Sequence, residues 1–409
     1  MAEVLVLGAG VVGMTTAYVL ARTGHRVTVI DAASSPAEGG ASFGNGAQLS
    51  YSYTDALASP SMVRTLPKYL LGMDPAFRTR PTISPAFWRW SLDFLSNASR
   101  SKFETNTLEV MKLAMESRQG IAELKDRISF DHRSAGKLNL YATAEAIRQA
   151  ETLSRLKTKH GAQQVILSRA EAIEKEPALE AYGHRFEGAL WSPLDESGDS
   201  RAFCLGLHEI LKNEYGVQFL FGVAVTSIET NRGRLSAVHT SEVRIACENA
   251  VISLGVHSAD IAATAGIRLP IWPMQGYSMT IPATEMAPTV SITDTARKVV
   301  FCRLGKNLRI AGLADIGARN AMFDRERYEV LARTAEGIFP KAGDYSRDAG
   351  AWTGMRPMTP NSQPLTGATQ VTGLYVNCGH GSLGWTLSMG SAERLAGLFG
   401  RNRDQLEPT

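Results

Sequence analysis

Cysteine is scarce in this chain: Cys204, Cys247, Cys302 and Cys378 lie far apart and make no C-x-x-C. That spacing argues against a disulfide framework and a thiolate zinc site. The eight histidines include no H-x-x-x-H pair, so no helix offers a metal site of that kind. No apolar run approaches the roughly 18 residues of a bilayer span. Charge of one sign is missing too. The net charge is +3 over 409 residues, without a Lys/Arg run or an aromatic RNA-binding signature, and no nucleic acid partner is expected. The first apolar strand begins almost at once and leaves no room for a secretory signal, so a cytoplasmic location is the expectation. What remains is an ordinary globular composition, 44% apolar and 20% charged, in a chain long enough for two domains.

One stretch then stands out. Residues 4–7 form a short apolar run, Gly8, Gly10 and Gly13 make a G-x-G-x-x-G turn, residues 14–22 read as a helix, and residues 27–30 form a second apolar run ending at Asp31. Strand, glycine turn, helix and strand in that order suit a dinucleotide. Gly8 permits the tight turn, Gly10 lets backbone approach a pyrophosphate, and Gly13 allows close helix–sheet packing. The helix N-terminus favours the anion. Asp31, about 20 residues on, can accept from the hydroxyls of an adenosine ribose. The pattern fits NAD and FAD equally; the bland alternative is a turn that only starts a helix.

Residues 32–48 are rich in small side chains. They either lie flat against a planar ligand or phosphates, or form a flexible linker. Residues 50–94 interleave Tyr51, Tyr53, Tyr69, Phe77, Phe87, Trp88, Trp90 and Phe94 with Lys68, Arg78, Arg80 and Arg89. This is either a lid packed on the protein or a patch for a membrane interface. The spacing predicts an amphipathic helix over 103–124, a strand over 136–141, and helices over 144–159 and 168–175, the last with a Ser168/Glu171 capping box. Glu196 and Asp199 read as dipole partners at the start of a helix over 202–215. Residues 217–220 and 224–228 read as a strand pair extending a parallel sheet. Residues 251–255 read as another strand, whose end at Ser253, Leu254 and Gly255 should approach the same ligand as Gly8. Residues 274–280, 299–303 and 308–312 alternate as antiparallel strands of a second domain.

The expected fold class is α/β: a Rossmann-like domain of residues 1–55, 195–265 and 345–409, interleaved with a second domain of residues 56–194 and 266–344. The second domain is built on a mixed or antiparallel sheet with helices, and the crevice between the two is the expected substrate site. The last third carries another sharp motif. Gly354-Met355-Arg356-Pro357-Met358-Thr359-Pro360 precedes a strand over 374–377, and Gly379-His380-Gly381-Ser382-Leu383-Gly384-Trp385-Thr386 then opens a helix to Leu398. This second strand-to-helix glycine turn would stabilise negative charge on a bound ring.

Together these residues resemble the FAD-dependent amino acid oxidoreductases of the D-amino-acid oxidase and glycine oxidase superfamily, the bacterial D-amino acid dehydrogenase branch in particular. The likeness runs through essentially the whole chain, and the G-x-R-P-x-T-P and G-H-G-x-L-G-W-T motifs carry it. It departs at Gly44 and Gly46, where the family usually has alanine, at Cys378, where threonine is commoner, and over residues 51–90. The resemblance implies an FAD-binding first domain holding the cofactor non-covalently. Gly8, Gly10, Val11, Val12 and Gly13 would hold the pyrophosphate, Asp31 and Ala32 the adenosine ribose, and Val225 the adenine side. Ser42, Asn45, Gly46, Ala47, Gln48 and Leu49 would wrap the isoalloxazine and phosphates, with Gly354 nearby. Gly381, Ser382, Leu383, Gly384, Trp385 and Thr386 would follow the pyrimidine edge.

The resemblance further implies that Arg356 pairs with a substrate carboxylate, a role its planar fork suits. Tyr53 and Tyr277 would be walls of the site, and His380 would lie near the flavin. The alternatives are a surface or flavin-side arginine, tyrosines that only pack, and a histidine that stabilises its turn. The implied reaction takes a hydride from Cα of a D-amino acid or a D-imino acid of the proline type to flavin N5, giving an imino and then a 2-oxo acid. A quinone or similar carrier takes the electrons, with peripheral contact at the inner face of a membrane. An oxygen-using glycine or sarcosine oxidase, and a flavin-binding subunit without turnover, are the competing readings.

Overall fold

The computed structural model describes residues 1–80, 82–320, 322–346 and 350–399. The amino-terminal pattern forms β1 (Glu3–Leu7), α1 (Val11–Arg22) and β2 (Arg26–Asp31). β9 (Gln218–Phe221), β13 (Ala250–Ile252), β19 (Leu365–Ala368) and β20 (Leu374–Cys378) join them in the order β19-β20-β13-β1-β2-β9. All pairs are parallel except β19 with β20. A parallel sheet must be covered on both faces. Val4, Val6, Val27, Val29 and Val251 pack toward α1, α4 (Arg100–Ala122), α7 (Ser200–Tyr215) and α10 (Gly384–Phe399). Leu5, Leu7, Ile30 and Ile252 face the other way. They meet α8 (Ser258–Thr264) and an antiparallel sheet of β10 (Val225–Asn231), β11 (Arg234–Thr240) and β12 (Arg244–Ala246).

The second sheet contains β4 (Phe77–Thr79), β5 (Lys137–Tyr141), β6 (Val165–Ser168), β7 (Gly188–Ser192), β14 (Trp272–Pro282), β15 (Ser291–Asp294), β16 (Val299–Leu304), β17 (Asn307–Ile316) and β18 (Trp352–Met358). Its order is β18-β14-β17-β16-β15-β5-β7-β6, with β4 added to β17. Because successive strand residues point to opposite faces, the two faces differ in chemistry. Leu138, Leu140, Ile292, Phe301, Leu308, Ile310 and Met279 form an apolar core with residues of α6 (Arg169–Lys175) and α9 (Arg325–Ile338). Lys137, Asn139, Ser291, Thr293, Cys302, Arg309 and Arg356 alternate with those residues and carry the opposite, polar face.

Several local expectations hold. α5 (Ala144–Thr158) and α6 form where the spacing puts them, and Ser168 and Glu171 make the reciprocal capping box. Asp199 caps α7, accepting from Arg201 N at 2.8 Å and Ala202 N at 3.0 Å. Glu196 does not share that role. It pairs with Leu49 across the short ribbon of β3 (Gln48–Leu49) and β8 (Glu196–Ser197), and its carboxylate meets Tyr51 Oη at 3.3 Å and His132 Nε2 at 3.0 Å. Of the strand pair expected to extend the parallel sheet, only β9 does so. The chain turns at Gly222 (φ +74°), and β10 buries Ile228 on the open face of the sheet. Residues 352–358, grouped by the sequence reading with the nucleotide-binding segments, hydrogen-bond to β14 in the second sheet instead. Of that same 345–409 span, residues 347–349 and 400–409 lie outside the described residues.

Candidate active site

The strands β1, β13 and β20 are parallel neighbours, so their carboxyl ends share one edge. α1 leaves that edge after β1 and α10 leaves it after β20. Two helix N-termini, each with outward N–H groups and a positive dipole end, therefore flank the end of β13 at Ser253, Leu254 and Gly255. In open α/β sheets this edge is where ligands lie.

At the first turn Gly8 has φ +109°, and a Cβ there would stand 2.5 Å from the Ser253 carbonyl oxygen. A Cβ on Gly13 would stand 1.8 Å from the Gly8 carbonyl oxygen. Gly10 is the N-cap of α1 and supplies no side-chain cap, while Val11 N donates to Ser42 Oγ at 3.0 Å. The following residues of this turn, Val12 and Gly13, enter the helix directly. Asp31 is held by Ala9 N at 2.6 Å and Ala33 N at 2.8 Å, one to each oxygen, which orients the carboxylate with lone pairs to spare. Ala32 beside it is exposed, and Val225 lies close by because Val223 N donates to Asp31 O at 3.0 Å. The Ser253 hydroxyl is buried without a protein partner.

Residues 44–50 run across the polar face of the second sheet. A Cβ on Gly44 would strike the Trp352 ring at 2.6 Å, and one on Gly46 would reach Val300 Cγ2 at 2.9 Å. Bulk at either position would lift this strap from the sheet. Arg309 donates to Asn45 O at 2.9 Å, Asn45 Nδ2 donates to Ser200 Oγ at 2.7 Å, and Ala47 sits at φ +57°. Gln48 Nε2 donates to Ser291 Oγ at 2.8 Å, and Leu49 is fully buried. Ser50 N then donates to Thr386 Oγ1 at 3.0 Å. That bond ties the strap to the second turn.

In the second turn Gly381 has φ +57°, residues Gly381–Leu383 form one tight helical turn, and Gly384 begins α10. Ser382 is exposed, whereas Trp385 is buried and donates from Nε1 to Gly198 O at 3.2 Å. Met358 bridges to His380, which joins β18 to this turn. His380 is buried and stands 2.9 Å from Ser391 Oγ. Burial pushes its imidazole down to about 3, so it stays neutral at physiological pH.

Arg356 lies two residues before Met358. It donates from Nη1 to Leu313 O at 2.9 Å, and its Nη2 packs so closely on Gly276 that a Cβ there would come within 2.2 Å. No carboxylate among the described residues pairs with it. Burial pushes the guanidinium down to about 10 while Asp315, itself engaged by Arg78 and Arg327, pulls the other way. The group therefore remains a cation near neutrality, with part of its fork free for an acceptor. Gly354 sits in the same strand against Trp352.

The two tyrosines do not join it. Tyr277 points to the opposite, apolar face of β14, in the core with Met279 and Ile281, its ring 6.3 Å from that of Phe323. Tyr53 packs against Lys137, whose ammonium is 4.6 Å from the ring centroid. β5, which carries Lys137, is five strands from β18, roughly 24 Å at about 4.8 Å per strand. Lys137 and Arg309 belong to no motif in the sequence. The only available signal was that each occupies a polar position in an alternating strand.

A Rossmann-type sheet with two glycine turns at one edge, set against a sheet whose polar face carries a half-buried arginine that no carboxylate of the described residues pairs with, defines a nucleotide-dependent oxidoreductase. The comparisons with known proteins agree. The chain belongs to the FAD dependent oxidoreductase (DAO) family, whose model matches residues 3–398. It is 36% identical to a D-amino acid dehydrogenase 2 of Ralstonia nicotianae over 98% of this chain and 96% of that one. It is 38% identical to a D-amino acid dehydrogenase of Paramagnetospirillum magneticum, over 97% and 94%. Its fold is similar to that of glycine oxidase from Geobacillus kaustophilus, with a TM-score of 0.76 and 20% identity, covering 100% of this chain and 97% of the other.

Proposed function

We propose that this protein oxidises D-amino acids, taking the substrate carboxylate on Arg356 and passing electrons to a quinone-type carrier. The observation that carries the reading is Arg356 itself: a half-buried, largely desolvated guanidinium that no carboxylate of the described residues pairs with is set to take an anion from a ligand. The names of the full-length relatives favour D-amino acids over other carboxylates. FAD fits the residues present. The N-terminus of α1, where Gly10 supplies no side-chain cap and Val11 N alone is met by Ser42 Oγ, suits its pyrophosphate, Asp31 its ribose, and the small residues of the strap a flat ring.

When bound, FAD supplies the hydride acceptor. The chain supplies position and field. Arg356 fixes one end of the substrate by its carboxylate, leaving Cα oriented for transfer. The N-terminus of α10 favours negative charge at its end of the site. His380 stays neutral and adds no competing charge. Turnover of D-alanine by the purified chain with a soluble quinone, without stoichiometric peroxide in air, is the expected result. Peroxide formed in step with substrate would favour the oxidase reading instead.

The segment 50–94 offers a surface for each of the two roles considered for it. Tyr69, Phe77, Phe87, Trp90 and Phe94 pack inward on Trp272, Met274 and Met358, and Trp90 Nε1 donates to Met358 O at 3.0 Å. α3 (Pro85–Ser96) thus covers the strand that carries Arg356. Outward, Leu70 and Leu71 at the end of α2 (Pro60–Leu70) and Met73, Ile83, Trp88 and Leu92 are exposed, with Lys68 and Arg89 among them. No helix of the described residues is long and apolar enough to cross a membrane. This patch suits shallow contact with a bilayer, the place to meet a quinone. The protein should float with anionic vesicles, and L71S/W88S/L92S should lose that flotation while keeping activity toward a soluble acceptor. Unchanged flotation would remove the membrane role.

A further inference from the structure

Behind the strap, the polar face of the second sheet carries a charged cluster for which the proposed chemistry has no use. Lys137 is 1% exposed. Its ammonium donates to Gln48 Oε1 at 2.8 Å and to Ser50 Oγ at 2.8 Å. Gln48 and Ser50 are the two ends of the short stretch whose backbone meets Thr386 at the start of α10. One buried cation therefore joins the sheet to the strap on the side away from the second helix N-terminus. A methionine would fill the same space without the desolvation cost, so the charge calls for a reason.

We propose that Lys137 is a positioning residue for FAD: its ammonium locks Gln48 and Ser50 so that the strap presents its backbone to the cofactor, and losing the proton loosens that lock. The inference rests on the reading that FAD lies between the two helix N-termini. Lys137 is faced by Asp195 from the turn before β8, by Asp55 and Tyr53 from the segment after the strap, by Lys157 from α5, and by Cys302 from β16, with Arg309 of β17 beyond. Asp195 is buried and accepts from Ser52 N at 2.7 Å; Lys157 is committed to Asp55 at 2.7 Å. Burial pulls the Lys137 ammonium down to about 8, with Asp195 opposing the fall. The locked strap is the binding form and only the charged ammonium locks it, so protonation and cofactor binding reinforce each other, and affinity falls as pH rises through that range.

The test is FAD affinity of the apoprotein, read by flavin fluorescence from about pH 6.5 to about pH 9.5. Wild type should weaken about tenfold across the interval, the effect of one pKa unit of coupling. Lys137→Met should bind weakly at every pH with a flat profile, and Lys137→Arg should restore tight binding, also flat, because a guanidinium keeps its proton. If the methionine variant fails to fold with Asp195 left unpaired, Lys137→Met/Asp195→Asn balances the charges and should show the same weak, flat profile. A flat wild-type profile, or tight binding by either methionine variant, overturns the role of Lys137 and leaves the cofactor site standing. A wild type that takes up no FAD at any pH overturns both.

Discussion

Arg356→Met is expected to lower kcat/KM for a D-amino acid by more than 100-fold while FAD content stays at one per chain. The substitution removes a half-buried cation whose acceptor, on our reading, is the substrate carboxylate. Truncating one side of a desolvated charge pair costs about 3 kcal/mol, within a range of roughly 2–5, and 1.4 kcal/mol is a factor of about ten. The loss should fall on KM as well as kcat, because the same contact holds the ground state and orients Cα. Arg356→Lys should recover only part of it, since a lysine cannot offer two parallel N–H groups. The stability of the folded state should change little: Arg356 leaves no carboxylate partner stranded, and its one lost hydrogen bond, to Leu313 O, offsets the relief of its desolvation. Thermal unfolding of the FAD-loaded variant separates the two effects. Unchanged kcat/KM with full FAD occupancy would detach Arg356 from the substrate.

Gly13→Ala is expected to abolish FAD binding. The added methyl would stand 1.8 Å from the Gly8 carbonyl oxygen, which is backbone and cannot rotate away. Either α1 moves off the sheet or the turn at Gly8 opens. The Gly8 turn is itself fixed, with φ +109° and Ser253 O pressed against it. Helix displacement also pulls on Thr15, which donates to Ser388 O of α10 at 3.1 Å. Both helix N-termini are then disturbed together. Overpacking of this kind costs about 1–3 kcal/mol, and more where backbone is the obstacle. The purified variant should be colourless, with a lowered unfolding temperature that added FAD does not raise. A yellow Gly13→Ala protein of normal stability would place the cofactor elsewhere.

What the sequence reveals and what it hides follow from the range of the interactions. The first glycine turn is legible because its strand, helix and acid lie within about 30 residues. The second is legible for the same reason, and alternation along β14, β16 and β17 marks one sheet. Strand register is not legible. Tyr277 and Gly276 are neighbours in sequence, yet only Gly276 faces Arg356, a fact that depends on β14 pairing with β18 some 80 residues away. Likewise Lys137 and Asn139 alternate with Leu138 and Leu140 as a half-exposed strand would. Both are buried, and Lys137 is so because Gln48 and Ser50 of the strap close over it. Glu196 reads as a helix-start acid from its spacing, but the β3–β8 ribbon claims it first.

The central claim is that one FAD spans the two glycine turns with its reactive face toward a carboxylate held by Arg356. The most direct measurement is the visible flavin spectrum of the purified chain, mixed without oxygen with D-alanine and, separately, with L-alanine. Complete bleaching of the main flavin band by the D enantiomer and a persistent oxidised spectrum with the L enantiomer are expected. An unbleached flavin with D-amino acids, or a protein that carries no flavin, would contradict it.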